Sequence, residues 1–75
     1  MKIKAKLYGT FPGHQHSEVI EVEIPERATV KDFLAFLKIT AFERAVVIRE
    51  GHILKLDDIL QENISVTVFE ALHGG

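Results

Sequence analysis

The chain has 75 residues, of which 47% are hydrophobic and 27% are charged, with no cysteine and a formal net charge of -2. A chain of this length and composition folds as one globular domain with a modest core, which excludes a disordered segment and leaves little room for an elaborate enzyme site. The lack of cysteine excludes disulfides and a thiol nucleophile, and the negative net charge argues against a nucleic-acid partner.

The N-terminal segment alternates polar and apolar side chains over residues 2–8. This period of two predicts a strand with one buried face, and it differs from the long apolar run of a signal peptide or a membrane span. We therefore expect a cytoplasmic protein with no membrane partner. A second alternating segment over residues 18–24 follows a stretch with two Gly and one Pro, so the two strands should form an antiparallel hairpin.

One helix is predicted after Pro25. Thr29 is a suitable N-cap residue with Asp32 three positions later, and the apolar residues that follow recur at helical spacing. The pattern predicts a helix of about three turns over residues 30–38.

The second half of the chain carries shorter patterns. The apolar runs at residues 45–48 and 53–54 flank a turn and predict a small hairpin. We interpret residues 55–61 as including a helical turn at 57–60, and the alternation over residues 64–69 predicts a last strand. Together the elements predict an α+β domain over residues 1–70, with its helix on one face of a sheet, and a flexible tail over residues 71–75.

Several pieces of the sequence match a known family. They are the strand end Leu7-Tyr8-Gly9-Thr10, the stretch from Ile24 to Val30, the small hairpin from Val47 to Gly51, and the final Gly74-Gly75. On these pieces the chain resembles, over its whole length, the MoaD/ThiS family of ubiquitin-like sulfur carriers. The resemblance implies a β-grasp fold with a mixed sheet of four to five strands and one main helix packed on one face. Asn63 stands where many members have Gly, and Asn can adopt the left-handed conformation that Gly would provide.

The resemblance also implies a role for the tail. In this family an E1-like adenylating enzyme uses ATP to convert the C-terminal carboxylate, here that of Gly75, into an acyl-adenylate, and sulfur then displaces AMP to leave a thiocarboxylate. Gly74 and Gly75 lack a Cβ, which lets the tail thread a narrow channel to the nucleotide. The sulfur donor would be a cysteine desulfurase or a rhodanese-type protein, and the acceptor a synthase of molybdopterin, thiamine or a related thio-compound.

In that role the chain is a carrier and co-substrate, or the small subunit of a synthase complex, and not an enzyme. It needs no cofactor of its own, because ATP is used by the partner enzyme. Two other functions stay open on the sequence. A ubiquitin-like protein modifier would be joined through Gly75 to lysines of other proteins, whereas a non-covalent β-grasp interaction domain would have an inert tail.

Three residues near the C-terminus are candidates for partner binding. Phe69 falls on the face opposite the buried side chains of its strand, and Leu72 and His73 lie in the tail. Exposed apolar residues often mark interfaces, although Phe69 could equally pack on the edge of its own domain.

The other polar clusters favour simpler interpretations. His14 and His16 in a loop indicate a solvated pair, and Asp57-Asp58 indicates a helix cap, so no metal site is expected.

The lysines at positions 2, 4 and 6 form a basic stripe that faces Glu21 and Glu23 across the hairpin. Such a stripe usually serves solubility, and its functional alternative is to orient an acidic partner surface.

Overall fold

The structure is a computed structural model that describes residues 1–9, 11, 13 and 17–70. Within these residues five strands form one sheet, and an α-helix and a short 3-10 helix lie between the second and third strands. The elements are β1 (Lys2–Tyr8), β2 (Ser17–Glu23), α1 (Val30–Phe36), a 3-10 helix (Phe42–Arg44), β3 (Ala45–Arg49), β4 (His52–Ile53) and β5 (Ile64–Glu70). The predicted α+β class is confirmed.

The sheet has the strand order β2-β1-β5-β3-β4. The central pair, β1 and β5, is parallel, and the other neighbouring pairs are antiparallel, so the sheet is mixed. Tyr8 at the end of β1 is paired with Phe69 near the end of β5. The last strand therefore finishes at the same end of the sheet as the first strand, beside the loop that leads into β2.

The core lies between the sheet and α1. Alternation in β1 and β5 places one side chain of every two on the inner face, and α1 adds three buried residues at helical spacing. These residues form one core cluster: Ile3, Ala5, Leu7, Val30, Phe33, Leu34, Ile64, Val66 and Val68. Phe11, in the loop between β1 and β2, is also buried in this cluster, which the alternation of the strands does not indicate.

The start of α1 follows the prediction. Asp32 donates its backbone N–H to Oγ1 of Thr29 at 3.1 Å, and Thr29 donates its backbone N–H to Oδ2 of Asp32 at 3.0 Å. This capping box satisfies donors that have no partner within the helix. Two more helix donors, the N–H groups of Val30 and Lys31, bond to carbonyls of Asp58 and Leu56, each at 2.9 Å.

The helix ends at Phe36, two residues before the predicted end at Lys38. Lys38 takes a left-handed conformation with φ +62, and its N–H bonds to the carbonyl of Ala35 while that of Ile39 bonds to Leu34. This is a Schellman arrangement, which usually has Gly where Lys38 stands. No helix among the described residues is long and apolar enough to cross a membrane.

The predicted helical turn at residues 57–60 is wrong. Instead, Lys55 donates its N–H to Oδ2 of Asp58 at 2.7 Å, and Ile59 forms an isolated bridge with Thr29. The chain forms a turn at residues 55–58, where Asp58 donates its backbone N–H to the carbonyl of Lys55 at 3.1 Å. Carbonyls of this segment accept hydrogen bonds from the start of α1, and a second helix here would lose those bonds. Asp58 stabilises this turn and is not a helix cap.

Candidate functional site at the end of the last strand

Most of the predicted site lies outside the described residues. Leu72, His73, Gly74 and Gly75 belong to the part of the chain that the structure does not describe, and so do His14 and His16. Their predicted roles, and the boundary between domain and tail, stay predictions. The structure does describe Phe69 and the end of β5, from which the five last residues continue.

The end of β5 is held closely by its neighbours. Gly9 has φ +124, and a Cβ on this residue would lie 2.5 Å from the Cβ of Glu70. On the other side of the strand, Glu70 is paired with Ala45 of β3. Only a residue without a side chain fits between β1 and Glu70, so Glu70 has a fixed position in the sheet. We call Glu70, the last described residue before the tail, the root of the tail.

An aromatic pair lies next to this root on the outer face of the sheet. The rings of Tyr8 and Phe69 stack with centroids 5.4 Å apart and an interplanar angle of 18°. Both side chains stay 40% exposed, so Phe69 packs on its own domain and still presents a surface to solvent. Its use in partner binding stays a prediction.

The neighbours of Phe69 on the outer face are not apparent from the sequence. The strand pairing puts Tyr8 and Val46 beside Phe69, and Ile48 and Ile53 lie further along the same face. We call these five residues the apolar face. Each one occupies an outward position of its strand, but only the order of the strands shows that the five are adjacent. An exposed apolar surface of this kind is typical of a protein interface.

The basic stripe lies on the same outer face, farther from the tail. The register pairs Lys2 with Glu23 and Lys4 with Glu21, as predicted, and pairs Lys6 with Val19. The carboxylate of Glu23 lies 3.7 Å from the amino group of Met1. The face thus changes from apolar near the tail to basic at its far end.

A cleft of about 270 Å³ opens beside the root of the tail. It combines two cations with an apolar floor, and its lining residues are Phe11, Lys38, Ile39, Thr40, Ala41, Arg44 and Glu70. The residues just after α1, from Lys38 to Ala41, form one wall of the cleft.

One carboxyl among the described residues has a clearly displaced pKa. The backbone N–H of Thr29, helped by its hydroxyl, lowers the pKa of Asp32, since both hydrogen bonds favour the carboxylate. Asp32 lies at the start of α1, so its titration concerns stability. Within the described residues, no three His, Cys, Asp or Glu side chains are grouped to hold a metal ion.

Comparison with protein-family models gives no match, and comparison with curated proteins gives none either. Solved structures do match. SAMP1 from Haloferax volcanii has 19% identity, a TM-score of 0.72 and full coverage of both chains. A ubiquitin from Caldiarchaeum subterraneum has 17% identity, a TM-score of 0.60 and full coverage of both chains. The N-terminal ubiquitin-like domain of the 4931431F19Rik protein has 23% identity and a TM-score of 0.64, with 99% of this chain and 79% of that chain covered. At these identities the likeness concerns the fold, and the chain has the ubiquitin-like β-grasp fold.

Proposed function

We propose that the chain is a sulfur carrier whose reactive group is the carboxylate of Gly75. One observation carries the proposal: Gly74 and Gly75 come five residues or fewer after Glu70, where the central strand of a ubiquitin-like β-grasp domain ends. The proposal requires a free carboxylate on Gly75. It assigns the chain to the MoaD/ThiS type of carrier, which the sequence resembles.

The chemistry of the proposal has two steps. A carboxylate oxygen of Gly75 attacks the α-phosphorus of ATP in the partner enzyme, and pyrophosphate leaves. Hydrosulfide, or an equivalent from a sulfur donor, then attacks the acyl carbon of the adenylate. The bond to AMP breaks, and the products are AMP, a proton and a thiocarboxylate on Gly75. The carrier supplies the acyl group, and the partner enzyme supplies the acids, the nucleotide site and any metal.

The described part of the chain contributes position and recognition. Five residues follow Glu70, and a chain of that length spans at most about 18 Å when extended. The nucleotide site of the partner must therefore lie within that distance of the root of the tail. The apolar face lies beside Glu70, so a partner that binds Tyr8 and Phe69 would lie next to the point where the tail begins.

A sulfur carrier of this type needs three kinds of partner, all in the cytoplasm. An E1-like enzyme adenylates Gly75, a cysteine desulfurase or rhodanese-type protein provides sulfur, and a synthase accepts it. Leu72 and His73 would contact the channel of these enzymes. Only the first partner uses ATP, so the carrier holds no cofactor.

A ubiquitin-like modifier is the second candidate. It is supported by the similar fold of the Caldiarchaeum subterraneum ubiquitin, which this chain matches over its full length. Both functions begin with adenylation of Gly75, and they differ in the nucleophile that follows. A sulfur nucleophile gives a thiocarboxylate, whereas a lysine amine gives an isopeptide bond.

Adenylation is tested by pyrophosphate release from ATP in the presence of a candidate activating enzyme. We expect release with the full chain and none after deletion of Gly75. Phe69→Ala should lower kcat/KM for the carrier about tenfold, as for a central interface aromatic residue. Phe36→Ala is the matched control, because Phe36 is 55% exposed on α1, outside the apolar face, and it should change kcat/KM less than about twofold. Equal rates with and without Gly75 would refute the proposal.

A further inference from the structure

The outer face of the sheet carries a groove beside the apolar face. Two adjoining depressions, of about 170 and 260 Å³, share Lys4 and Ser65 and follow β1 and β5. Lys2 lines the first depression, and Lys6 and Thr67 line the second. We call these five residues the basic groove.

The lysines of the groove have a regular spacing. Lys2, Lys4 and Lys6 are alternate residues of β1, and all three are exposed. Alternate residues of a strand lie about 6.6 Å apart on one face. An extended peptide has the same repeat, so acidic side chains at every second position could each meet one lysine.

The lysines are available for such contacts. Among the residues that the structure describes, none of the three takes part in an ion pair, although Glu23 and Glu21 stand opposite two of them. The β5 side of the groove carries hydroxyl groups in place of lysines. There Ser65 is paired with Lys4 and Thr67 with Lys6, and their hydroxyl groups can donate hydrogen bonds to a carboxylate.

Acidic residues on both borders limit where an anionic ligand could lie. Glu21 borders the groove on the β2 side, and Glu50 borders it at the β3–β4 turn. Like charges repel an acidic ligand from both borders and leave the line above β1 and β5 as the favourable path. That path is one strand wide and has cations along one side and hydroxyl groups along the other.

We propose that the basic groove binds an extended acidic segment of the enzyme that activates Gly75, with Asp or Glu at alternate positions. The identity of the enzyme rests on the proposed function, whereas the binding of an acidic segment does not. Lys2 lies six residues from Tyr8, about 20 Å along β1. Contacts at both ends of β1 would fix the orientation of the carrier, so that the tail enters the channel in one direction.

The first test uses a probe peptide, Glu-Thr-Glu-Thr-Glu, and nuclear magnetic resonance of the full ¹⁵N-labelled chain. We expect shifts of amide resonances in β1, β5 and the β3–β4 turn that decrease as salt is added, because exposed charge pairs are screened. The same peptide with Gln in place of Glu should produce no such shifts. Equal shifts with both peptides, or shifts confined to the cleft beside Lys38 and Arg44, would overturn the proposal.

Charge-matched variants sharpen this test. Lys4→Gln with Lys6→Gln should weaken binding of the Glu peptide about threefold to tenfold at low salt, since exposed ion pairs are individually weak. Arg27→Gln with Lys55→Gln removes the same charge from exposed positions outside the outer face, and binding should change by less than about twofold. Equal losses of affinity for the Glu peptide in the two double variants would show a general effect of net charge and would contradict binding in the basic groove.

The second test uses the activating enzyme. Lys4→Gln with Lys6→Gln should raise KM for the carrier by about the same threefold to tenfold factor and leave kcat unchanged, because the groove acts in docking and not in chemistry. An unchanged KM with an active enzyme would contradict docking through the basic groove, but it would not contradict the proposed function. If no enzyme adenylates the wild-type chain while the Glu peptide still binds, the proposed function is contradicted. The binding of an acidic segment in the basic groove is then still supported.

Discussion

Gly9 lies against Glu70 so closely that a Cβ on Gly9 would be 2.5 Å from the Cβ of Glu70. This contact joins the end of β1 to the root of the tail, and Gly9 also has φ +124. Gly9→Ala should therefore combine steric overlap with backbone strain and lower the free energy of unfolding by about 2–4 kcal/mol. Urea denaturation measures this change.

Gly51→Ala is the control for that prediction. Gly51 has φ +81, but nothing lies within 4 Å of a Cβ built on it. Its substitution should cost only the backbone strain, about 1 kcal/mol. Equal costs at the two positions would contradict the close packing of Gly9 on Glu70.

The stacking of Tyr8 on Phe69 predicts an energetic coupling between the two side chains. In a double-mutant cycle with Ala at each position, we expect a coupling energy of about 0.5–1 kcal/mol, as for aromatic pairs in contact. A cycle between Tyr8 and Phe36, which lies on α1, should be additive within about 0.5 kcal/mol. Additivity in the first cycle would contradict the stacked pair.

The capping box predicts a pH-dependent contribution to stability. The folded-state pKa of Asp32 is lowered from its ordinary value of 3.8, so its contribution is present above that value and is lost as the pH falls through the folded pKa. Thr29→Ala should cost about 1 kcal/mol at neutral pH, as for other N-cap residues.

The measurement of the pH dependence is urea denaturation of the wild type and Asp32→Ala, which removes the carboxylate, at pH 7 and well below pH 3.8. The difference between the two proteins should decrease in acid, because the protonated carboxyl of Asp32 no longer accepts the N–H of Thr29 as strongly. A difference that stays constant over this range would contradict the role of the carboxylate.

The end of α1 predicts a stabilising substitution. Lys38 has φ +62 at the position where a Schellman arrangement favours Gly, so Lys38→Gly should raise the free energy of unfolding by about 0.5–1 kcal/mol. Ala35→Gly, within the helix, should lower it by about 1 kcal/mol. Destabilisation by both substitutions would contradict the left-handed conformation of Lys38.

The sequence predicts the regular parts of the fold well because they depend on local patterns. Strict alternation locates β1 and β5 to within one residue, and Thr29 with Asp32 marks the start of α1. Asn63 takes the left-handed conformation expected of it, with φ +63. These features follow from side-chain burial and capping within a few residues.

The parts that the sequence does not predict depend on contacts between distant residues. The helix ends early, at Phe36, because Lys38 takes the left-handed conformation, for which lysine has no intrinsic preference. Residues 55–60 form a turn followed by an isolated bridge, because their backbone bonds to residues at the start of α1. The apolar face is recognisable only once the parallel pairing of β1 and β5 is known, since Tyr8 and Phe69 are far apart in the chain.

The sulfur-carrier function depends on the fate of the Gly75 carboxylate. The direct measurement is tandem mass spectrometry of the C-terminal proteolytic peptide after incubation of the full chain with ATP, an activating enzyme and hydrosulfide. We expect a mass gain equal to replacement of one oxygen by sulfur, located at Gly75 and absent when ATP is omitted. Pyrophosphate release with an unchanged C-terminal peptide, or with Gly75 joined to a lysine, would contradict the sulfur carrier.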